Sequence, residues 1–270
     1  MACHARAVRR AIWASVLVAS LVRPPLAVAG AWTQPEGETQ IIADVGYSIA
    51  GQSFDHHSRP NWPVQFDKIL TTVDGEYGWN DWLTLVLAPE YAHARLLRPG
   101  KLPEQADDGA VMAGARVRLW NGGGVFSAQM TAKTAGAFDM TVSADGAPGR
   151  QLELRLLYGA NFTLFGRDGF WDAEIAQRWI EGLRADEMPI DLTLGLRVSK
   201  RMRVLVQSFN IVAQGNARQP YSYYRAHKLS LSLVTDLSPG LSFESGAYIS
   251  PAGQNALDEQ GFDISLWVHF

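Results

Sequence analysis

Asp55, His56 and His57 are three neighbouring residues whose side chains could together do chemistry. Imidazoles beside a carboxylate can bind a metal ion or serve as an acid–base pair. Consecutive residues cannot all converge on one point, however, without further partners from elsewhere in the chain. Two interpretations remain open, a reactive site and an exposed polar loop, and the loop needs no further partners. We expect neither a metal site nor a cofactor here.

A serine activated by a histidine is the second chemistry for which the sequence offers candidates. The histidines within periodic segments are His93, His227 and His269. Ser230 and Ser232 follow His227, but an odd separation along an extended chain puts them on the opposite face. The sequence therefore predicts no enzyme, and a hydrolase is the least favoured function that we consider.

Charged side chains at alternate positions are the most numerous candidates. In the segment 150–162, Glu153 and Arg155 alternate with leucines. Eighteen residues share this placement, nine acids and nine bases: Lys68, Asp74, Glu76, Glu90, Arg116, Arg118, Lys133, Glu153, Arg155, Asp172, Glu174, Arg178, Asp191, Arg197, Arg203, Lys228, Glu244 and Asp263. Isolated charges inside a protein are costly, whereas paired charges are tolerated. The set therefore fits either a water-filled lumen of both signs or a lumen closed by salt bridges.

The elements that position these charges are segments of about ten residues with period-two alternation, which is typical of strands with two unlike faces. Twelve such segments can be counted, near 38–49, 65–78, 81–94, 109–120, 124–135, 150–162, 169–181, 188–199, 202–213, 223–236, 241–250 and 261–270. The ninth has the least clear register, because Phe209 and Ile211 share a face with Arg203 and Gln207.

The connections between these segments alternate in length. Short connections rich in turn-forming residues fall at 79–81, 121–124, 166–169, 199–201 and 237–240. Longer ones fall at 50–64, 95–108, 136–149, 182–187, 214–222 and 251–259. An even number of strands with this alternation puts both chain ends on the side of the short turns.

Such strands suit a sheet that closes on itself in a membrane, where no backbone polar group can be left unpaired. The outward face is then apolar and the inward face polar. Interfacial aromatic girdles would explain why most tryptophans lie at predicted strand ends or turns. These are Trp32, Trp62, Trp79, Trp82, Trp120, Trp171, Trp179 and Trp267. A soluble β-sandwich also alternates its faces, but the long, even strands and the charges at strand centres favour a single closed antiparallel transmembrane β-barrel.

The first 29 residues have the pattern of a secretory signal peptide. Arg6, Arg9 and Arg10 precede the apolar run 11–22, and the small residues Ala27–Ala29 form a cleavage site. The run is too short for a comfortable transmembrane anchor, which is the alternative. We therefore expect export through the general secretory pathway, cleavage after Ala29 and a barrel formed by residues 30–270.

Composition restricts the partners and the chemistry. Cys3 is the single cysteine and lies in the predicted signal peptide, so we expect no disulfide in the barrel. Because residues 1–29 carry four arginines and no acid, the formal charge falls from −3 for the whole chain to −7 for residues 30–270. An acidic chain of this kind argues against nucleic acid as a partner.

The closing segment GFDISLWVHF ends on its last apolar residue, Phe270. In this it resembles bacterial outer-membrane β-barrel proteins. The resemblance implies residence in the outer membrane of a Gram-negative cell, contact with its lipid, and recognition of the terminal strand by the barrel-assembly machinery.

The run DGEYGWNDWLTLVLAPEY, residues 74–91, resembles the strand-turn-strand unit of outer-membrane transporters of the phenol meta-pathway type. That resemblance implies passage of small, aromatic molecules. The function that we expect is a porin-like channel or transporter for small molecules with a charged lumen. The alternative is a structural or surface-interaction barrel whose lumen is closed by salt bridges.

Overall fold

The computed structural model describes residues 30–134, 149–219 and 221–270. The strands are β1 (Thr39–Phe54), β2 (Pro60–Asn80), β3 (Leu83–Leu97), β4 (Glu104–Asn121), β5 (Val125–Lys133), β6 (Gln151–Leu164), β7 (Arg167–Ile180), β8 (Glu187–Arg197), β9 (Met202–Ala213), β10 (Arg225–Ser238), β11 (Leu241–Gln254) and β12 (Gln260–His269). Within this part of the chain, no helix is long and apolar enough to cross a membrane.

The twelve strands form one closed antiparallel barrel in which each strand pairs with its neighbours in the sequence. The first and last strands close it, with Ile41 opposite Val268 and Tyr47 opposite Phe262. Beyond the last paired residue, the N–H of Thr39 donates to the carbonyl of Phe270 at 2.7 Å. Closure leaves no free sheet edge, which is what a sheet in lipid requires, and the predicted fold class is confirmed.

Two unlike faces follow from the alternation. The outward side chains are apolar and accessible, as with Leu87 at 54% and Leu231 at 60% exposure. Inward side chains of the same strands are enclosed, as with Thr84 and Ser232. Since a large exposed apolar belt is stable only against lipid, the belt marks the membrane-facing surface.

The two rims of the barrel differ. The chain ends and the short turns lie at one rim, which we name the turn end, and the longer loops lie at the other, the loop end. One turn is built by Phe165 and Gly166, whose φ angles of 51° and 71° suit a two-residue hairpin. The predicted long loop 136–149 lies outside the described residues except for Gly149.

The loop-end connections are shorter than the sequence predicted. The first, expected at 50–64, is reduced to 55–59 because β1 continues to Phe54 and β2 begins at Pro60. β3 and β4 extend in the same way into the range expected as the loop 95–108. Strand pairing thus continues past the alternating segments that cross the membrane.

Two tryptophans were wrongly assigned to the membrane girdle. Trp267 lies on the inward face of β12, where its indole N–H donates to Glu244 at 3.0 Å. Trp32 precedes β1 and packs edge-on against Phe170, with 5.9 Å between ring centroids. With Leu205 and Val234, these rings form an apolar cluster inside the barrel. The inner face is therefore not uniformly polar, because side chains fill part of the interior.

The ninth strand has an unbroken register. β9 pairs with β8 from Arg203 to Ala213 and with β10 from Met202 to Val212. Phe209 shares the inward face with Gln207 and contributes to the wall of an internal cavity. The irregular sequence pattern thus reflects an aromatic side chain in the lumen.

Candidate functional site

Two cavities occupy the lumen between the apolar clusters. One, of about 290 Å³, lies along the inner faces of β4–β8, and we name it the arginine-side cavity. The other, of about 540 Å³, lies along β1, β2 and β7–β12, and we name it the acidic cavity. Glu174 and Arg155 contribute to both walls, so the two cavities meet at these side chains.

Arg155 organises the arginine-side cavity. Its Nε donates to Glu153 at 2.7 Å, and its Nη1 binds Asp191 at 2.7 Å and also Glu174. Arg178 bridges Glu153 and Glu187, at 2.8 and 2.6 Å. These contacts arise because alternate residues of neighbouring strands point to one side, and Glu153 is directly opposite Arg178 in the register.

Further ion pairs continue around the wall. Arg116 on β4 binds Glu76 on β2 at 2.6 Å and reaches Gln129 on β5 at 3.0 Å. Lys133 on β5 binds Glu90 on β3 at 2.5 Å. Each contact joins inward residues of different strands, so one group of contacts connects strands β2–β5 and the group around Arg155 connects β6–β8.

A buried carboxylate that the sequence analysis missed lies at the loop end. Glu259, whose side chain has no exposed surface, binds Lys228 at 2.8 Å and Lys68 at 3.3 Å. It also accepts a hydrogen bond from the hydroxyl of Tyr248 at 2.9 Å. Because Glu259 belongs to the loop before β12, strand periodicity carries no signal for it.

The acidic cavity differs in charge from its neighbour. Asp44, Asp74 and Asp263 contribute to its wall, and among the described residues none of them forms an ion pair with a lysine or arginine. Asp44 instead accepts from the hydroxyl of Ser265 at 2.7 Å. Asp44 was missed in the sequence, although its alternation with Ala43 and Val45 is the signal that finds inward residues.

Aromatic and aliphatic groups complete the wall of the acidic cavity. They are Ile42, Leu70, Phe170, Leu205, Phe209 and Trp267. Rings and carboxylates together make an environment that suits a positively charged group carried on an apolar body, because cations are attracted to both.

The segment 30–38 enters the barrel at the turn end, which the sequence analysis did not predict. The carbonyl of Ala31 accepts from Ser127, and the carbonyl of Trp32 accepts from Arg116 at 2.8 Å. The backbone N–H of Gln34 donates to Thr84 at 2.8 Å. Ala31 is fully buried. The segment therefore occupies part of the cross-section beneath the cavities.

The remaining candidate residues are spread along the inner wall. Arg197 binds Asp236 near the turn end at 3.0 Å. Arg203 is buried, with its guanidinium 6.0 Å from the ring centroid of Phe170. Arg118 lies on the inward face of β4 beside a register shift. With Glu76, which binds Arg116, these three arginines are the candidates that line neither cavity.

Asp55 organises a turn instead of a reactive centre. Its carboxylate accepts from the backbone N–H groups of Arg59 at 2.9 Å and His57 at 2.7 Å, and from the Asn61 amide at 3.0 Å. The Arg59 bond, followed by the others, lowers the pKa of Asp55. The His56 and His57 rings contact each other at a tilt of 41°, with 3.9 Å between centroids. Within the described ranges, no group of three or more His, Cys, Asp or Glu residues is arranged for a metal ion.

Two of the strand histidines, His93 and His227, contact an acid and an amide. His93 pairs with Asp107, which also accepts from Gln105 at 2.9 Å. His227 contacts Asn210. The partners of these two rings are a carboxylate and an amide, whereas a serine hydrolase needs a histidine paired with a serine hydroxyl.

Comparison with solved structures supports the architecture. An outer membrane channel from Pseudomonas putida F1 is similar over 90% of this chain and 99% of that chain, with a TM-score of 0.65 and 12% identity. The translocator domain of the autotransporter NalP from Neisseria meningitidis covers 88% of this chain and 90% of its own, with a TM-score of 0.58 and 11% identity. The NanC porin covers 84% and 98%, with a TM-score of 0.50 and 10% identity.

No protein-family model matches the sequence, and no curated protein matches it. At these identities the likenesses show the fold, and their fold is the one that the apolar belt and the closed sheet require. The chain is therefore a twelve-stranded β-barrel of the bacterial outer membrane.

Proposed function

We propose that the protein is an outer-membrane channel for small molecules and has no catalytic role. The observation that carries the proposal is the acidic cavity, which has a volume of about 540 Å³ inside the barrel. β1 alone contributes Ile42, Asp44, Gly46 and Ser48 to its wall. Ile42 and Ser48 lie six steps apart on β1, about 20 Å along the strand, so the cavity follows β1 through the barrel.

The charges of the lumen favour cations over anions. Three arginines beside the arginine-side cavity, Arg116, Arg155 and Arg178, are engaged by carboxylates. Asp44, Asp74 and Asp263 face the acidic cavity without such partners among the described residues. Uncompensated carboxylates raise the local concentration of cations. Small molecules with an aromatic ring also fit, because Phe170, Phe209 and Trp267 border the same space.

The test is single-channel conductance of refolded residues 30–270 in a planar bilayer, with a salt gradient to measure the reversal potential. We expect discrete conductance steps and a preference for K⁺ over Cl⁻. The double variant Asp74→Asn/Asp263→Asn should lose most of that preference. Asp67→Asn is the matched control, since Asp67 is on the same strand as Asp74 but faces outward. If the double variant kept the selectivity of the wild type, that result would contradict a cation preference set by these carboxylates.

A closed barrel with a structural or surface role is the second candidate function. It is favoured by the segment 30–38, which lies across the turn end, and by the ion-pair network. A correctly folded barrel that never conducts would support this function and contradict the first. The loops 55–59 and 255–259 would then be the surfaces to examine for partners.

Two further expectations from the sequence belong to biogenesis. We propose that residues 1–29 are removed after Ala29 and that Phe270 is read by the barrel-assembly machinery. The backbone of Phe270 is bonded to Thr39 at the strand junction, while its side chain is 70% exposed. N-terminal sequencing of the protein purified from outer membranes tests the cleavage site directly.

A further inference from the structure

Gly30 lies against the carboxylate of Asp172, an inward residue of β7. A Cβ added to Gly30 would lie 2.7 Å from the carboxyl carbon and from Oδ1 of Asp172. The φ angle of Gly30 is +112°, in a region that residues with side chains rarely adopt. The N–H of Ala31 donates to Oδ2 of Asp172 at 2.9 Å. Both the space and the backbone conformation at this position therefore require glycine.

Asp172 lacks a cation of its own. The residue is 3% exposed, and its carboxyl group shares a hydrogen bond with Glu174. Glu174 is bound by Arg155, and Arg116, whose charge also acts on Asp172, is bound to Glu76. Among the described residues Asp172 forms no ion pair. A buried carboxylate next to a second carboxylate is strongly stabilised by any cation placed beside it.

Cleavage of the chain before Gly30 would create such a cation, the α-ammonium group of a new N-terminus. The small residues Ala27–Ala29 immediately precede Gly30. Hydrolysis of the Ala29–Gly30 peptide bond consumes one water, leaves a carboxylate on Ala29, and leaves an amine on Gly30 that takes up a proton. Bond geometry limits the distance from this nitrogen to Oδ1 of Asp172 to about 5 Å. The α-ammonium group would thus be within reach of the carboxylate.

We propose that Asp172 is the binding site for the α-ammonium group that signal-peptide cleavage creates on Gly30. The proposal rests on cleavage after Ala29. Before cleavage the Gly30 nitrogen is a neutral amide, and the carboxylate receives only the N–H of Ala31. After cleavage the pair adds a charged anchor to the contacts at Ala31, Trp32 and Gln34. Processing therefore fixes the segment 30–38 inside the lumen.

The experiment uses refolded barrels with defined N-termini, so it does not depend on cleavage or on transport. One chain begins with a free Gly30, a second is identical but N-α-acetylated, and a third carries two extra residues before Gly30. The α-amines of the first and third chains are labelled with an amine-selective reagent near neutral pH and quantified by mass spectrometry. Lys101, in an exposed loop, is the internal standard.

We expect the Gly30 amine to be labelled about tenfold more slowly than the amine of the extended chain, the ratio that one pKa unit produces. Asp172→Asn should abolish the difference, whereas Asp263→Asn, another inward acid, should preserve it. Acetylation should lower the unfolding temperature of the wild-type barrel but not that of Asp172→Asn. Equal labelling of the free and extended chains in folded barrels would overturn the proposal, even if Asp172→Asn fails to fold.

Discussion

Arg155 of β6 and Asp191 of β8 are joined by an ion pair across the strand that separates them, with 2.7 Å between Nη1 and Oδ2. The same guanidinium binds Glu153 and Glu174. A guanidinium has five N–H donors in a fixed plane, so it can satisfy several carboxylates at once. Three acids on three adjacent strands thus share this cation.

Removing that cation should destabilise the barrel strongly. Arg155→Met keeps much of the side-chain volume but removes the cation that binds Glu174 and Asp191, and it leaves Glu153 bound by Arg178. We expect the free energy of unfolding to fall by about 3–5 kcal/mol, which is the usual cost of removing one partner of a buried ion pair. Urea unfolding in lipid vesicles, followed by tryptophan fluorescence, measures the change.

The matched control is Arg118→Met, which removes an inward arginine of β4. No ion pair of Arg118 is found with the described residues, so we expect a change within about 0.5 kcal/mol. Equal stability of the two variants would show that the network around Arg155 does not hold β6–β8 together.

Glu259 connects the last loop to two distant strands. Glu259→Gln removes the charge between Lys68 and Lys228, so a buried and a partly exposed ammonium group lose the carboxylate that bridges them. We expect a loss of about 2 kcal/mol in unfolding free energy, as for other hydrogen bonds to charged groups. Increased proteolysis of the loop 255–259 should accompany it.

Glu104→Gln tests the specificity of that effect. Glu104 also pairs with a cation, Arg98, but at 3.6 Å and with more than a fifth of each side chain exposed. Exposed pairs contribute less than about 1 kcal/mol, so this variant should resemble the wild type. A Glu259→Gln barrel that is equally resistant to protease would contradict the anchoring role of Glu259.

The loop 55–59 should lose order in acid. Hydrogen bonds to Asp55, first that from the N–H of Arg59, lower its pKa in the folded loop. A lowered folded pKa means that the stabilisation is present above the ordinary value near 3.8 and disappears as the pH falls through the folded value. The protection of the His57 and Arg59 amides, relative to the exchange rate of an unstructured chain at the same pH, should therefore decrease below pH 3.8.

A variant checks the same relationship at alkaline pH. Asp55→Asn removes the negative charge from the acceptor, so at pH about 8, where Asp55 would otherwise be ionised, the backbone amide of Arg59 should exchange with solvent faster than in the wild type. His57→Ala keeps the backbone N–H that bonds to Asp55 and should leave the exchange rate of the Arg59 amide unchanged. Faster exchange in both variants would point to the histidine rings, and not the carboxylate, as the support of the turn.

Strand periodicity was sufficient to predict most of this barrel, because lipid and lumen impose opposite chemistry on successive residues. Glu153 and Arg155 are recognisable from their leucine neighbours alone, and the structure places both in the lumen wall. Residues that lie outside the alternating strands could not be found in this way. Glu259 reaches the lumen from a loop, and the segment 30–38 is held largely through its backbone. Trp267 was misplaced because an indole fits either a girdle or a packed interior.

Phe270 offers a test that separates assembly from stability. Its backbone bonds to Thr39, and these bonds do not depend on the side chain, which is 70% exposed. Phe270→Ala should therefore refold in vitro as completely as the wild type. If the terminal side chain is read during assembly, the same variant should reach the outer membrane in markedly lower amount. Phe262→Ala removes an outward ring from the same face of β12 and should assemble normally. Equal outer-membrane levels of the two variants would show that the terminal phenylalanine serves only as a lipid contact.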